Sequence, residues 1–366
     1  MTLPTGENPI SFSQIRTEFG DGTNTSTSPV RLGQYRSTDA SFTNEDVGAF
    51  ETLPLDVGIS TSGTINVDSF HGKKLNVIVD YYSGSTEIRP DDARAKYQAA
   101  SASGNRVVVG GYKDRVINDS SGSKVRIHVN KTIGSAVGNI NNCAVRTGSF
   151  ETGTVVTVEV GSSGAIYGAG GDGGEAGDGE GANGSNGGSG SSGLGVQFSG
   201  TPVINNGVIS AGYGGGGGGG YRKVEREEMF GGPVYAANGG GGGGGQGLPA
   251  GEGVDGGSDG TTTAGGNGGN GGENNQAHGG GGGGGGSNGT GGEGGNNNDG
   301  GNGTSSSGGN GADGTHTGSI EGENNVQGEG GTGGGNGAAI RRTSGITVNI
   351  TNNATITGSQ TATGVS

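Results

Sequence analysis

Three different spacings of apolar residues divide this chain. In the first seventy-five residues the pattern apolar-x-apolar-x-x-apolar occurs three times: Ile10, Phe12 and Ile15; Val30, Leu32 and Tyr35; and Ile65, Val67 and Phe70. Each copy reads as a short extended piece feeding a helical turn. In the first, Ser11 or Ser13 can cap a helix that carries Ile15 and Phe19 on one side and stops at Gly20. Three small hooks joined by polar linkers bury little surface alone and are expected to pack on a partner or on the next domain, with simple self-packing as the alternative. Residues 1–74 are therefore expected to be a mounting region, with Ile10, Phe12, Ile15, Phe19, Leu32, Tyr35, Val67 and Phe70 as candidate attachment residues.

From Leu75 the spacing changes to two. Leu75–Tyr82, Arg106–Val109, Lys124–Val129 and Thr154–Val160 alternate apolar and polar positions between Gly, Asn and Ser turns, which predicts strands. Between the first two, Pro90 to Tyr97 carries helix-start chemistry, with proline at the first turn and Asp91 and Asp92 after it. Residues 75–163 thus read as a compact β-rich domain with one short helix. A second repeat follows, in Val158–Gly168, Val203–Gly212 and Val348–Gly358, each a strand, a small-residue turn and a second short strand. It predicts a platform from which the glycine-rich chain departs and to which residues 346–366 return.

The third spacing belongs to glycine. Residues 164–337 hold 75 of the 96 glycines, including the pure runs Gly214–Gly220, Gly239–Gly245 and Gly279–Gly286. Between these runs the chain repeats Gly-Gly-x, as in Gly265 to Glu273 and Gly291 to Asn296. Period three is that of a polyproline-II-type helix, whose N–H and C=O groups find no partner within the helix. When buried, they must pair with neighbouring helices. A helix enclosed on every side can carry only hydrogen as its side chain; one on the outside can carry a polar residue at every third position. The fold class expected is mostly β and irregular, with a small β-rich N-terminal region and then a polyglycine-II sandwich with variable loops over residues 164–345. Disorder is the competing reading, because ordering glycine costs the most entropy. Collagen is excluded by spacing and by scarce proline, and a calcium-binding nonapeptide repeat lacks its large apolar residue.

Charge is as divided as spacing. Of the net charge of −14, nearly all lies after residue 163, where 5 Lys/Arg face 17 Asp/Glu, so nucleic acid is not an expected partner. Cys143 is the only cysteine, which excludes an internal disulfide. The opening residues show no leader pattern and no stretch reaches membrane-spanning length, predicting synthesis in a cytoplasm without a signal peptide and no membrane insertion.

No enzyme is expected. Gly-x-G-x-x-Gly matches mean nothing among so many glycines, no phosphate-binding Gly-x-x-x-x-Gly-Lys-Ser/Thr loop occurs, and His71, His128, His278 and His316 stand far apart. No catalytic residue, cofactor or metal is assigned. The informative segment is Tyr221–Asn238, which joins two pure-glycine runs and holds Arg222, Lys223 and Arg226, three of the five basic residues after residue 163. With Tyr221, Met229, Phe230 and Tyr235 it concentrates the residue types enriched at binding hot spots. These seven are the candidate receptor-binding residues. The alternative is a loop folded back over one face of the bundle.

Pure-glycine runs alternating with Gly-Gly-x segments and joined by variable loops resemble the glycine-rich receptor-recognition adhesins at the tips of T-even-like phage tail fibres, whose distal domain is a polyglycine-II sandwich. Arg106–Gly111, Val125–Gly134 and Cys143–Gly148, running into Ile166–Asp172, are similar to virion structural proteins of marine and cyanobacterial phages. The resemblance implies a virion protein at the tail fibre, mounted on other virion proteins and binding a host surface polysaccharide or outer-membrane protein. A structural head or tail decoration that touches no host is the alternative.

Overall fold

The computed structural model describes residues 3–6, 8–19, 32, 59–60, 62–73, 77–81, 87–88, 91–92, 106–109, 112–113, 124–148, 153–179, 182–225, 233–274, 277–295, 298–305, 307–316 and 325–365. Within these residues it is mostly strand and irregular chain, with one α-helix, Phe12–Phe19, and a 3₁₀ turn, Val67–Phe70. The helix begins as its sequence predicts. Ser11 Oγ accepts from the Gln14 N–H at 3.2 Å, and Gln14 Oε1 accepts from the Ser11 N–H at 2.7 Å, closing a reciprocal cap. Asn66 and Ser69 cap the 3₁₀ turn in the same way.

The strands form a three-sided parallel solenoid. Its first turn is β1 (Val77–Tyr81), β2 (Glu87–Ile88) and β3 (Asp91–Asp92), with a hairpin, β4 (Arg106–Val109) and β5 (Tyr112–Lys113), laid antiparallel on β1. The second is β6 (Lys124–Val129), β7 (Thr132–Gly134) and β8 (Cys143–Arg146); the third is β9 (Val155–Val160), β10 (Ala165–Tyr167) and β11 (Ser192–Val196). The fourth begins with β12 (Thr201–Asn205) and β13 (Val208–Ser210). Before its last side the chain leaves on a long excursion containing β14 (Arg222–Glu225), β15 (Val234–Ala237), β16 (Glu273–Asn274), β17 (Ala277–His278), β18 (Thr315–His316) and β19 (Val326–Gln327). It returns as β20 (Ile340–Arg342), and the fifth turn is β21 (Val348–Asn352), β22 (Thr355–Thr357) and β23 (Ala362–Thr363). Corresponding strands of successive turns pair in parallel, giving three sheets of order β21-β12-β9-β6-β1, β22-β13-β10-β7-β2 and β23-β20-β11-β8-β3.

Stacked apolar residues explain why the turns coil. Ile127, Val158, Val203 and Ile350 stand in register on one side, Ile133, Ile166, Ile209 and Ile356 on the second, and Val145, Leu194 and Ile340 on the third. All but Ile350 and Ile356, in the last turn, are completely buried. The three copies of the second sequence repeat are thus consecutive turns. Residues 348–357 lie beside residues 201–210, one strand further from residues 158–168 than the repeat alone suggests. Residues 75–163 are not a separate domain, because their sheets continue into β12, β20 and the last turn.

Two expectations need correction. Asp91 and Asp92, expected in the first turn of a helix, form β3 and pair with Val145 and Arg146; the solenoid's third side overrides local propensity there. The first and third hooks also turn inward. Leu3, Ile15, Ile59 and Phe70 are buried, the Gly72 N–H donates to Pro4 O at 3.0 Å, and Ile10, Leu32 and Val67 are partly buried against the same core. Only Phe12 among the described attachment candidates is exposed, at 38%. Tyr35 and the Phe19 side chain lie outside the described residues.

Both glycine-rich excursions leave the solenoid at one corner, between β10 and β11 and between β13 and β20. They run as extended rows that bond to one another with period three. In Gly214–Gly220, the N–H groups of Gly215 and Gly218 donate to Gly188 and Ser185, those of Gly216 and Gly219 to Gly243 and Gly240, and those of Gly217 and Gly220 to Gly309 and Ala312. Its carbonyls accept from three further rows, at Gly174 and Gly177, at Gly280, Gly283 and Gly286, and at Gly331 and Gly334. Each of the other two pure runs likewise bonds to surrounding rows on all sides, and all three are almost wholly buried. The Gly-Gly-x rows lie outside, and burial follows their period: Gly171, Gly174 and Gly177 are buried while Asp172, Glu175 and Asp178 are exposed.

At the surface, where no further row supplies an acceptor, Asx side chains do so. Asn183 Oδ1 accepts from the Glu329 N–H at 2.8 Å while the Gly184 N–H donates to Glu329 O at 2.8 Å, so an Asn-Gly step clasps both backbone groups of one neighbour. Asn186, Asn267, Asn270 and Asp172 repeat this on Thr332, Thr290, Glu293 and Glu252. Asn302, Asn310, Asn336, Asp259, Asp299 and Asp313 make a staggered version, accepting from one residue while the next glycine donates to a carbonyl two residues earlier. The x of Gly-Gly-x is thus often a substitute carbonyl.

Candidate functional site

One end of the glycine rows rests on the solenoid. There the Ser135 N–H donates to Leu248 O at 3.0 Å, and the Ala211 N–H donates to Thr357 O at 2.8 Å. The opposite end is closed by two small antiparallel sheets, β15-β14-β19 and β16-β17-β18. In the first, Arg222 pairs with Ala237, Val224 with Tyr235, Lys223 with Ala236 and Glu225 with Val234. Alternation along β14 therefore decides which side chains meet solvent.

The inward face carries Arg222 and Val224, which are buried, and Tyr235 packs on a small cluster of Val224, Ala237 and Ala277. Arg222 donates from Nη1 to Gln327 Oε1 at 3.4 Å, and burial pulls its guanidinium below its ordinary pKa. Tyr221 is buried where the glycine run ends. The opposite face carries Lys223, whose Nζ lies 2.9 Å from Glu225 Oε1 and whose side chain is only 12% exposed, and Val234, which is 53% exposed. Of the seven sequence candidates, Tyr221 and Arg222 face inward, Tyr235 is partly covered, and Lys223 lies on the opposite face of β14 but is mostly covered. Arg226, Met229 and Phe230 lie outside the described residues.

Other segments brought to this end had no distinguishing signal in the sequence. Asp178, Glu273, Asp299, Asp313 and Glu329 are exposed around it, and none belongs to an ion pair among the described residues. With Arg222 buried and Lys223 paired, the described residues of this end are mainly acidic. Among the described residues there is no group of three His, Cys, Asp or Glu side chains able to hold a metal ion, and no helix is long and apolar enough to cross a membrane. What the surface offers is an exposed apolar residue, carboxylates and short strand edges on a rigid lattice, an arrangement suited to binding.

The sequence of residues 95–291, more than half of the chain, matches the family model described as phage tail fibre adhesin Gp38. The chain belongs to the Gp38 family of phage tail fibre adhesins. It is therefore a tail-fibre adhesin, a component of the phage virion that serves attachment. No curated protein sequence matches this adhesin. Among solved structures it is similar to a chain of the crystal structure of the gp37-gp38 adhesin tip complex of the bacteriophage S16 long tail fiber. That likeness has 16% identity and a TM-score of 0.30 and covers 82% of this chain and 88% of that one.

Proposed function

We propose that the adhesin recognises a host cell-surface receptor with the row end that lies away from the solenoid, and that the glycine rows are polyglycine-II helices packed as a sandwich. The observation that carries this reading is the division of the rows' two ends: one is bonded to β7, β10 and β22 or their flanks, and the other presents β14–β19 and their connecting loops. Period-three bonding to several surrounding rows matches a helix of about three residues per turn that makes no bonds within itself. Such a lattice holds loops rigidly, so little conformational entropy remains to be lost when they bind.

Within that end the contact falls to Val234 and Tyr235, with Lys223 at its margin, and to the segment between Glu225 and Pro233, which contains Arg226, Met229 and Phe230. Tyr221 and Arg222 support it from beneath. The exposed carboxylates favour a receptor with basic groups, such as outer-membrane protein loops, over an acidic polysaccharide, which they repel. Residues 1–74 mount the adhesin on another virion fibre protein, with Phe12, the exposed one among the described attachment candidates, at the contact. The adhesin acts by binding and carries out no reaction. Purified adhesin should compete with phage for adsorption to host cells, and the double variant Val234→Asp, Tyr235→Ala should compete at least about tenfold less well. Equal competition by this variant, with its melting temperature unchanged, would move the receptor site elsewhere.

A further inference from the structure

The sequence contains ten Asn-Gly steps, the dipeptide most prone to spontaneous deamidation. In that reaction the glycine nitrogen loses its proton and attacks the asparagine side-chain carbonyl carbon. A new C–N bond closes a five-membered succinimide as ammonia leaves. Water then opens the ring, giving aspartate or its β-linked isomer, so that asparagine and water become an acidic residue and ammonia. The step requires a carboxamide able to rotate towards the glycine nitrogen, and it is slowed further where that N–H is held in a hydrogen bond.

The Asx-Gly clasp restrains both groups. In the seven clasped asparagines the Oδ1 accepts a backbone N–H and the following glycine N–H is spent on a carbonyl, so nucleophile and electrophile are both held on the neighbouring row. Asn206, in a solenoid turn, is held as well. Its Oδ1 accepts from Asn353 Nδ2 at 2.9 Å, and the Gly207 N–H donates to Asn205 Oδ1 at 3.2 Å. Two steps remain, and both are exposed. Neither the Asn238 nor the Asn288 carboxamide oxygen accepts a hydrogen bond among the described residues. The Gly239 N–H donates to Gly177 O at 3.1 Å and the Gly289 N–H to Gly285 O at 2.8 Å, so the untethered carboxamide is what sets these two steps apart; Asn288 also sits in the left-handed region at φ 68°.

We infer that Asn238 and Asn288 are the deamidation sites of the folded adhesin, and that hydrogen bonding protects the other eight Asn-Gly steps, seven in the glycine lattice and one in a solenoid turn. Conversion at Asn238 adds a negative charge beside β15, and its β-linked product lengthens the backbone where β15 joins the row beginning at Gly239. An aspartate at a clasped position, by contrast, could still accept the bond, as Asp172 and Asp313 do.

The test is peptide mapping by mass spectrometry of the intact protein, incubated in mildly alkaline buffer with and without denaturant. In the folded protein, acid formation at Asn238 and Asn288 should outpace that at Asn267 and Asn270 by at least about tenfold. In denaturant all four should convert at similar rates. Conversion of Asn267 or Asn270 in the folded protein as fast as that of Asn238 and Asn288 overturns the inference. So does an absence of conversion at Asn238 and Asn288 while the denatured protein reacts. Asn270→Ser should leave the rates at Asn238 and Asn288 unchanged, since these lie outside its clasp.

Discussion

Replacing Gly217 by alanine tests whether the pure-glycine runs are enclosed by backbone on every side. A Cβ built there lies 2.1 Å from Gly331 O and 2.5 Å from its carbonyl carbon, more than about 1 Å inside an ordinary contact. The obstacle is backbone, so no side-chain rotation relieves it. The rows must part, and the bonds at stake are Gly217 N–H to Gly309 O at 2.9 Å, Gly283 N–H to Gly217 O at 2.7 Å and Gly331 N–H to Gly218 O at 2.7 Å. Two or three buried groups left unpaired, at about 1–3 kcal/mol each, give a destabilisation of about 3–6 kcal/mol. The reduced entropy of the unfolded alanine chain offsets about 0.4–1 kcal/mol of this. By thermal melting followed by circular dichroism, Gly217→Ala should fall by about ten degrees or more. Glu293→Ala, on an exposed position with no side-chain bond, should stay within about 0.5 kcal/mol of the parent. Equal melting temperatures for these two variants would refute the enclosure.

Asn267→Ala should cost about 1 kcal/mol, because it removes the acceptor of the Thr290 N–H, whereas Asn270→Asp keeps its acceptor and should be nearly neutral; chemical denaturation separates the two. Ile209→Ala empties a fully buried position in the solenoid ladder between Ile166 and Ile356 and should cost about 2–5 kcal/mol. Burial pushes the Cys143 thiol up from 9.0 to about 12, so it should resist alkylation until the protein unfolds. Above the unfolded value the unfolded chain releases a proton that the folded one retains, so this thiol's contribution to stability is full below 9.0 and should be lost as pH rises towards about 12, as denaturation midpoints across that range would show.

Residue spacing carried part of this architecture and hid the rest. Val203 with Ile209 and Ile350 with Ile356 were visible as a repeat, and Ile127 with Ile133 has the same six-residue spacing. That fourth copy is masked because His128 and Asn130 to Thr132 look like an ordinary strand end. The two residues added between Val158 and Ile166, and an excursion of more than a hundred residues between β13 and β20, hide the continuity of the third sheet. Pure glycine against Gly-Gly-x did separate the enclosed rows from the outer ones. It gave no hint that Asn267 and Glu293 differ, since only the neighbouring row shows which x position must accept a bond. At the far end, Arg222 to Glu225 alternate in type, but which alternate pair faces inward depends on Tyr235, Ala237 and Ala277, distant in sequence. Composition therefore picked out a segment at the far row end while assigning the buried Arg222 to its surface.

The most direct test of receptor binding at the far row end is hydrogen–deuterium exchange of the adhesin with and without host outer-membrane vesicles. Bound vesicles should slow exchange in the peptides covering 222–237, 273–278 and 315–327, and leave the solenoid strands 124–134 and 155–167 unchanged. Protection confined to the solenoid or to residues 1–74, with the row end exchanging as in the free protein, would contradict it.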